Sequence, residues 1–269
     1  MASQPHATPQ IPLQPGHAIL FLGDHTSPDE PGYVRLLGDI LARFHPNLNL
    51  NLISAGSKGQ TAQGLRSRTL LDMLISSKPN WVVLNIGLAD ARREPALEGM
   101  LEEYGRRQEA SDLAAEMTLG PEHRVRANDL GPVSDVGRPP EPQWERLETF
   151  RSDLAQVCAE LDQASVGRIL ITPVVAGDDI ANPLNVALLA YSRAITQVAG
   201  GQSATLVDAH RAFRDVLDRA TTYKQRIALA SVGGELKAQG QALLARTFLQ
   251  AVGLLPYPGY RPPRAKGNQ

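Results

Sequence analysis

The chain has almost no cysteine, no long apolar run and no surplus of charge of either sign. One cysteine, Cys158, stands among 269 residues, which excludes an intrachain disulfide framework. It lies in an apolar helical pattern and reads as a core residue. No apolar run approaches the roughly 20 residues needed to span a bilayer, so no membrane association is expected. The formal net charge is -1 at pH 7. No basic excess is available to follow a nucleic-acid backbone, and nucleic acid is not an expected partner. The first ten residues have neither the basic n-region nor the apolar h-region of a signal peptide, so a cytoplasmic location is expected. His/Cys/carboxylate spacing of the zinc type is missing, and Gly56-Ser-Lys-Gly-Gln-Thr61 lacks the spacing of a phosphate loop. Neither a metal nor a cofactor is expected. Internal repeats are absent as well.

What is present is an ordinary globular composition, 42% hydrophobic and 20% charged. The two ends, 1–16 and 256–269, are rich in Pro with Gln or Gly and read as mobile tails around one domain, 17–255. Inside it, short apolar runs alternate with helical patterns. Ala18–Leu22, Asn49–Ile53, Trp81–Ile86, Arg168–Thr172 and Ala204–Val207 read as strands. Gly32–Phe44 places Val34, Leu37, Leu41 and Phe44 at helical spacing, and Thr61–Ile75, Glu145–Leu161, Pro183–Val198 and Ala238–Val252 follow as helices. This alternation predicts a three-layer αβα sandwich, flavodoxin-like, with a central parallel sheet of about five strands.

One stretch, 92–143, breaks the rhythm, being roughly 50 residues where a connection usually takes a handful. Its first half, Pro95–Met117, reads as an amphipathic helix with Leu97, Met100, Leu101, Tyr104, Leu113 and Met117. Its second half, Gly120–Pro142, carries five prolines and three glycines and reads as a loop. A surface insertion or lid is the expected role, with a dimerisation or partner-binding arm as the alternative. Oligomeric state is left open. Arg92-Arg93 and Arg106-Arg107 have glutamates nearby and read as solvated helix faces.

In open α/β sheets ligands sit at the carboxyl ends of the strands. Three loops there carry small or polar residues: Gly23-Asp24-His25-Thr26, Ser54-Ala55-Gly56-Ser57-Lys58-Gly59 and Gly87-Leu88-Ala89-Asp90. In this order, with Ile169–Pro173, Leu189–Tyr191, Leu206–Asp208 and Gly234–Gly240 after them, they resemble the SGNH/GDSL hydrolase superfamily of esterases and acylhydrolases. The resemblance implies that Gly23-Asp24-His25 stands where the family has Gly-Asp-Ser. Gly59 takes the place of the glycine whose N–H helps bind the oxyanion, and Gly87 to Asp90 that of Gly-x-Asn-Asp. Counting back from Gly240, the family's histidine falls on Glu235 and its aspartate on Val232.

Such enzymes attack an ester carbonyl with a serine activated by a histidine that an aspartate orients, and they hold the oxyanion with N–H donors. Here His25, Ala89, Val232 and Glu235 replace the serine, asparagine, aspartate and histidine, while Gly59 keeps a backbone donor. The inherited mechanism is therefore predicted to be lost, and whether the chain is an enzyme is left open. The first reading is a degenerate SGNH-like binding or scaffold module for a small acylated or glycan-like ligand, met by Asp24, His25, Ser57, Gly59, Gly87, Asp90 and Glu235. The alternative is a weak esterase that uses displaced residues, drawn from Ser27, Ser54, Ser57 and His210. Asp24 and Asp90 could bind metal, but in the family's pattern such aspartates hydrogen-bond loop backbone, and that role is expected here. His210 is expected to start a helix or face solvent. If positions 25 and 235 face each other as in the family, His25 and Glu235 form an imidazolium–carboxylate pair. An NMR titration checks this: the pair raises the His25 pKa above the ordinary value of about 6.5, and a value at or below it contradicts the pairing.

Overall fold

The computed structural model describes residues 13–23, 32–66, 68–118, 144–223 and 227–255, with the side chains of 68–69 and 108–118 left aside. The tails beyond 13 and 255 and the proline-rich loop of the insertion fall outside these residues, as do Asp24, His25 and Ser27.

Five parallel strands form the centre: β1 (Ala18–Gly23), β2 (Asn51–Ser54), β3 (Trp81–Asn85), β4 (Gly167–Ile171) and β5 (Thr205–Val207). Their order is β2-β1-β3-β4-β5, the flavodoxin-like arrangement the alternation predicts. The chain steps from β1 outward to β2 and then returns to place β3 on the other side, so the order reverses between β1 and β3. Side chains on a strand alternate between faces, and both faces here are covered. Leu20 and Leu22 of β1 pack with Val82, Leu84 and Leu170 against one helical layer. Ile19 and Phe21 pack with Val83, Ile169, Ile171 and Val207 against the other. That is why these strands read as continuous apolar runs.

The first layer holds α2 (Ala62–Leu65), α3 (Arg68–Ser77), α4 (Leu88–Ala91), α5 (Pro95–Thr118), α6 (Leu147–Gln163) and α7 (Pro183–Gly201). The second holds α1 (Tyr33–Phe44), α8 (Ala209–Thr222) and α9 (Ala238–Ala251). In α1, Val34, Leu37 and Leu41 are buried as their spacing predicts, whereas Phe44, the last residue of the helix, is 37% exposed. Cys158 is a buried core residue, and burial pushes its thiol up to about 11.

Element ends shift by a few residues from expectation, and three differences go beyond that. The helix expected over Thr61–Ile75 is two helices, α2 and α3. Thr61 caps α2 by accepting the Gly64 N–H at 3.1 Å, Gly64 weakens propagation, and Arg66 leaves the helix to pair with the buried Asp153 of α6. The second strand begins at Asn51, because Asn49 takes a left-handed conformation (φ 38°) that closes a single 3-10 turn, Pro46–Leu48. Between β3 and the insertion lies the short α4, too brief to show a period.

The insertion is anchored at its base. Glu94, 2% exposed, accepts the Tyr191 hydroxyl at 2.6 Å and the Arg146 N–H at 3.1 Å, so one carboxylate ties α7 to the start of α6. Burial, and then the neighbouring carboxylate, push the Tyr191 phenol well above its ordinary range. Tyr104 on α5 donates to Asp179 in the loop after β4, and Arg106 and Arg107 pair with Glu103. Replacing Glu94 with Ala strands a buried hydroxyl and an uncapped helix end. Urea unfolding of Glu94→Ala should show a loss of about 2–4 kcal/mol, against about 1–2 for Tyr191→Phe, which leaves the carboxylate its cap. Equal losses would contradict the anchoring role.

Candidate functional site

The loops at the carboxyl edge of the sheet assemble around Gly23. Its φ is +132°, and a Cβ there would lie 1.9 Å from the Asn85 carbonyl oxygen. The chain therefore leaves β1 against the backbone of β3, and only glycine fits. On the β2 side, Ala55 N–H donates to Phe21 O at 3.0 Å and Gln60 N–H to Ser57 O at 3.1 Å. These bonds make 55–60 a tight turn that exposes Ser57, Lys58 and Gly59. On the β3 side, Gly87 (φ 111°) caps α4 and Ala89 is 8% exposed. Asp90 accepts the Ala62 N–H at 3.2 and 3.3 Å, joining the two loops through backbone.

The fourth wall comes from residues 229–237. Ser231 N–H donates to Glu235 O at 2.8 Å, Gly234 N–H to Ser231 O at 2.8 Å and Lys237 N–H to Leu229 O at 2.9 Å. Glu235 N–H completes the turn on the Ser231 hydroxyl at 3.0 Å. The turn is anchored behind by Gly240, where a Cβ would lie 2.0 Å from Leu229 O, and in front by Gly177 N–H donating to Ser231 O at 2.7 Å. It rests on α4: Leu88 lies 3.0 Å from a Cβ built at Gly234, and the Arg92 guanidinium 2.7 Å from one at Gly233.

Glu235 thus comes to the β2 loop and forms an ion pair with Lys58. The two side chains are 60% and 76% exposed, so the pair adds little to stability. Val232 projects outward, 69% exposed. Of the expected site residues, Ser57, Gly59, Gly87, Ala89, Asp90, Val232 and Glu235 lie on these adjoining loops. The partner expected for Glu235, His25, is outside the described residues. Lys58, beside Gly59, is the site residue that the sequence did not single out, and its partner is the Glu235 carboxylate.

His210 lies elsewhere. It sits in the first turn of α8, is 4% exposed, and does not face solvent as one expectation had it. Its backbone N–H donates to Thr172 Oγ1 at 2.9 Å and its Nδ1 meets the Pro173 carbonyl at 3.2 Å. Thr172 Oγ1 in turn lies 3.4 Å from Asp208 Oδ1, the carboxylate that caps α8 through Arg211 N–H. Ser54 ends β2 and His210 follows β5, the two opposite edges of the sheet. Four strand spacings separate them, roughly 19 Å, so neither Ser54 nor Ser57 can share a relocated triad with His210. Among the described residues no group of three or more His, Cys, Asp or Glu could hold a metal ion, and no helix is long and apolar enough to cross a membrane.

No protein-family model matches the chain. It is 24% identical over 252 residues to an acetylxylan esterase of Geobacillus stearothermophilus, a match spanning 88% of this chain and 94% of that protein. The crystal structure of Axe2, the acetylxylan esterase from that organism, superposes with a TM-score of 0.64 at 22% identity, covering 94% of this chain and all of the other. LAE5, an alpha/beta hydrolase enzyme from the metagenome of Lake Arreo, Spain, superposes at 0.62 with 21% identity, covering 90% of this chain and 97% of that one. The chain has the fold of these hydrolases, and its sequence is related to acetylxylan esterase across nearly the whole length.

Burial, with Arg214 adding to it, holds the His210 pKa below its ordinary value, against the Pro173 carbonyl and Asp208, which act to raise it. The unfolded chain then binds a proton that the folded chain resists. Stability from this group is intact above the unfolded pKa of about 6.5 and is lost as pH falls below it. Urea unfolding at pH 7.5 and pH 5 should show that fall in the native chain and a smaller one in His210→Asn, which has no proton to take up. Identical slopes would contradict the burial of a neutral imidazole.

Proposed function

We propose that this protein is an SGNH/GDSL-hydrolase-like chain that has lost the Ser-His-Asp ester-hydrolysis machinery. Its carboxyl-edge loops then serve as a binding or scaffold module for a small acylated, glycan-like ligand, in a cytoplasmic setting. The observation that carries the reading is Glu235. At the position of the family's histidine stands an exposed carboxylate beside the Lys58 ammonium. A general base works best with a pKa close to the working pH, which the ordinary value of an imidazole provides and that of a carboxylate does not. Val232, in the place of the aspartate that would orient a base, has no polar atom. Ala89, in the place of the asparagine, has no side-chain donor, and loss of one oxyanion donor alone costs on the order of 100- to 1000-fold in rate.

The ligand class draws on the sequence relation to acetylxylan esterase. Asp24, His25, Ser57, Gly59, Gly87, Asp90 and Glu235 would meet the ligand, with Asp90 chiefly bracing the loops through the Ala62 N–H. The same relation supports the second reading, a weak acylhydrolase with displaced residues. Labelling with a serine-reactive fluorophosphonate, beside turnover of a short-chain p-nitrophenyl ester, separates the two. No labelling and no turnover above buffer are expected. Labelling at one serine, abolished together with turnover when that serine is replaced by Ala, would establish the esterase instead.

A further inference from the structure

Away from the loops around Gly23, residues of α7 and α8 line a groove of about 580 Å³. Facing helices usually close such a space with apolar side chains. This one is lined by polar residues, among them Ser192, Arg193, Asp208, His210, Arg211 and Arg214, whose carbon atoms supply most of the lining surface. Among the described residues the Arg193, Arg211 and Arg214 guanidinium groups make no hydrogen bond or ion pair, although Asp208, Asp215 and Asp218 line the same groove. Three arginines and three aspartates leave the lining without net charge while the imidazole is neutral.

His210 decides the chemistry. The Pro173 carbonyl, 3.2 Å from Nδ1, can only accept, so the ring proton resides on Nδ1. Nε2 then carries a lone pair. It makes no hydrogen bond among the described residues and is not sealed inside the protein, so it opens on the groove that His210 lines. Reached from the groove, this acceptor is open to water or to a ligand donor that takes the water's place. Burial and the nearby Arg214 keep the ring neutral. An anion would meet that lone pair and the Asp208 carboxylate with no proton to offer. A cation would meet Arg193, Arg211 and Arg214. A hydroxyl satisfies both sides at once, donating to Nε2 or a carboxylate while accepting from a guanidinium.

We propose that the groove between α7 and α8 is a binding site for a small neutral polyhydroxyl ligand, a sugar or sugar alcohol, held by the His210 Nε2 acceptor between the Arg214 and Asp208 side chains. The site stands independently of what the loops around Gly23 do. Its volume lies within the range of small-molecule sites, about 300–1,000 Å³. The many polar contacts, with no aromatic platform among the lining residues, imply weak binding, with a Kd on the order of millimolar.

The test titrates the full chain with xylose, maltose, sorbitol, inorganic phosphate and citrate, following the backbone amide resonances of Arg193, Arg211 and Arg214 by NMR. Saturable shifts with at least one of the three polyols, and none with phosphate or citrate, are expected. His210→Asn retains a donor for the Pro173 carbonyl but has no Nε2, and Arg214→Gln removes one guanidinium. Each should weaken polyol binding by roughly fivefold or more, about 1 kcal/mol, the worth of one hydrogen bond. If His210→Asn does not fold, Arg214→Gln carries the comparison. The proposal is overturned by the absence of saturation for every polyol up to about 200 mM, well above the expected Kd. Saturation by phosphate or citrate, or polyol shifts unchanged in a folded variant, would overturn it equally.

Discussion

The close approach of β1 to β3 at Gly23 is the constraint on which the rest of the site depends. With the Asn85 carbonyl where a Cβ would have to be, the chain leaves β1 at the point where the strand order reverses, the place at which an open parallel sheet offers its crevice. The β2 loop, α4 and the 229–237 turn all gather around that exit. Asp90 joins two of these loops through the Ala62 N–H. Gly240 lets α9 come up against Leu229 O, which anchors the turn carrying Val232 and Glu235. None of these backbone devices requires a catalytic side chain. A fold braced in this way can keep its crevice while the groups lining it change.

That separation explains what the sequence made legible. Strand order and layering follow from alternation and from apolar runs buried on both faces, as with Ile19–Leu22 and Trp81–Asn85. The positions of Gly23, Gly59, Gly87 and Gly240 are likewise readable, since each marks a backbone requirement. Less legible were features set by distant partners. Arg66 ends α2 because Asp153, far along the chain, is buried opposite it. Glu94 precedes a proline in what reads as an insertion, yet its carboxylate serves α6 and α7. His210 follows a helix-capping aspartate and looks solvent-facing in sequence, but the loop after β4 covers it. Pairing of Glu235 with Lys58 depends on a turn held by Ser231 and Gly177, which no local pattern encodes.

Two polar features of the carboxyl edge do different things. At the loops around Gly23, the Lys58–Glu235 ion pair is exposed, so electrostatic preorganisation there is weak. At the far edge, beyond β5, a neutral imidazole is oriented by a carbonyl and opens on a groove of mixed charge. The sheet keeps them apart by its width, which is why the second cannot repair the first.

The central claim is tested most directly by measuring acetate release from acetylated xylo-oligosaccharides by the intact chain, followed by proton NMR against a buffer blank. Release no faster than the blank is expected. Release above it that disappears in Glu235→Ala would contradict the account, because the carboxylate at position 235 would then be part of a working site.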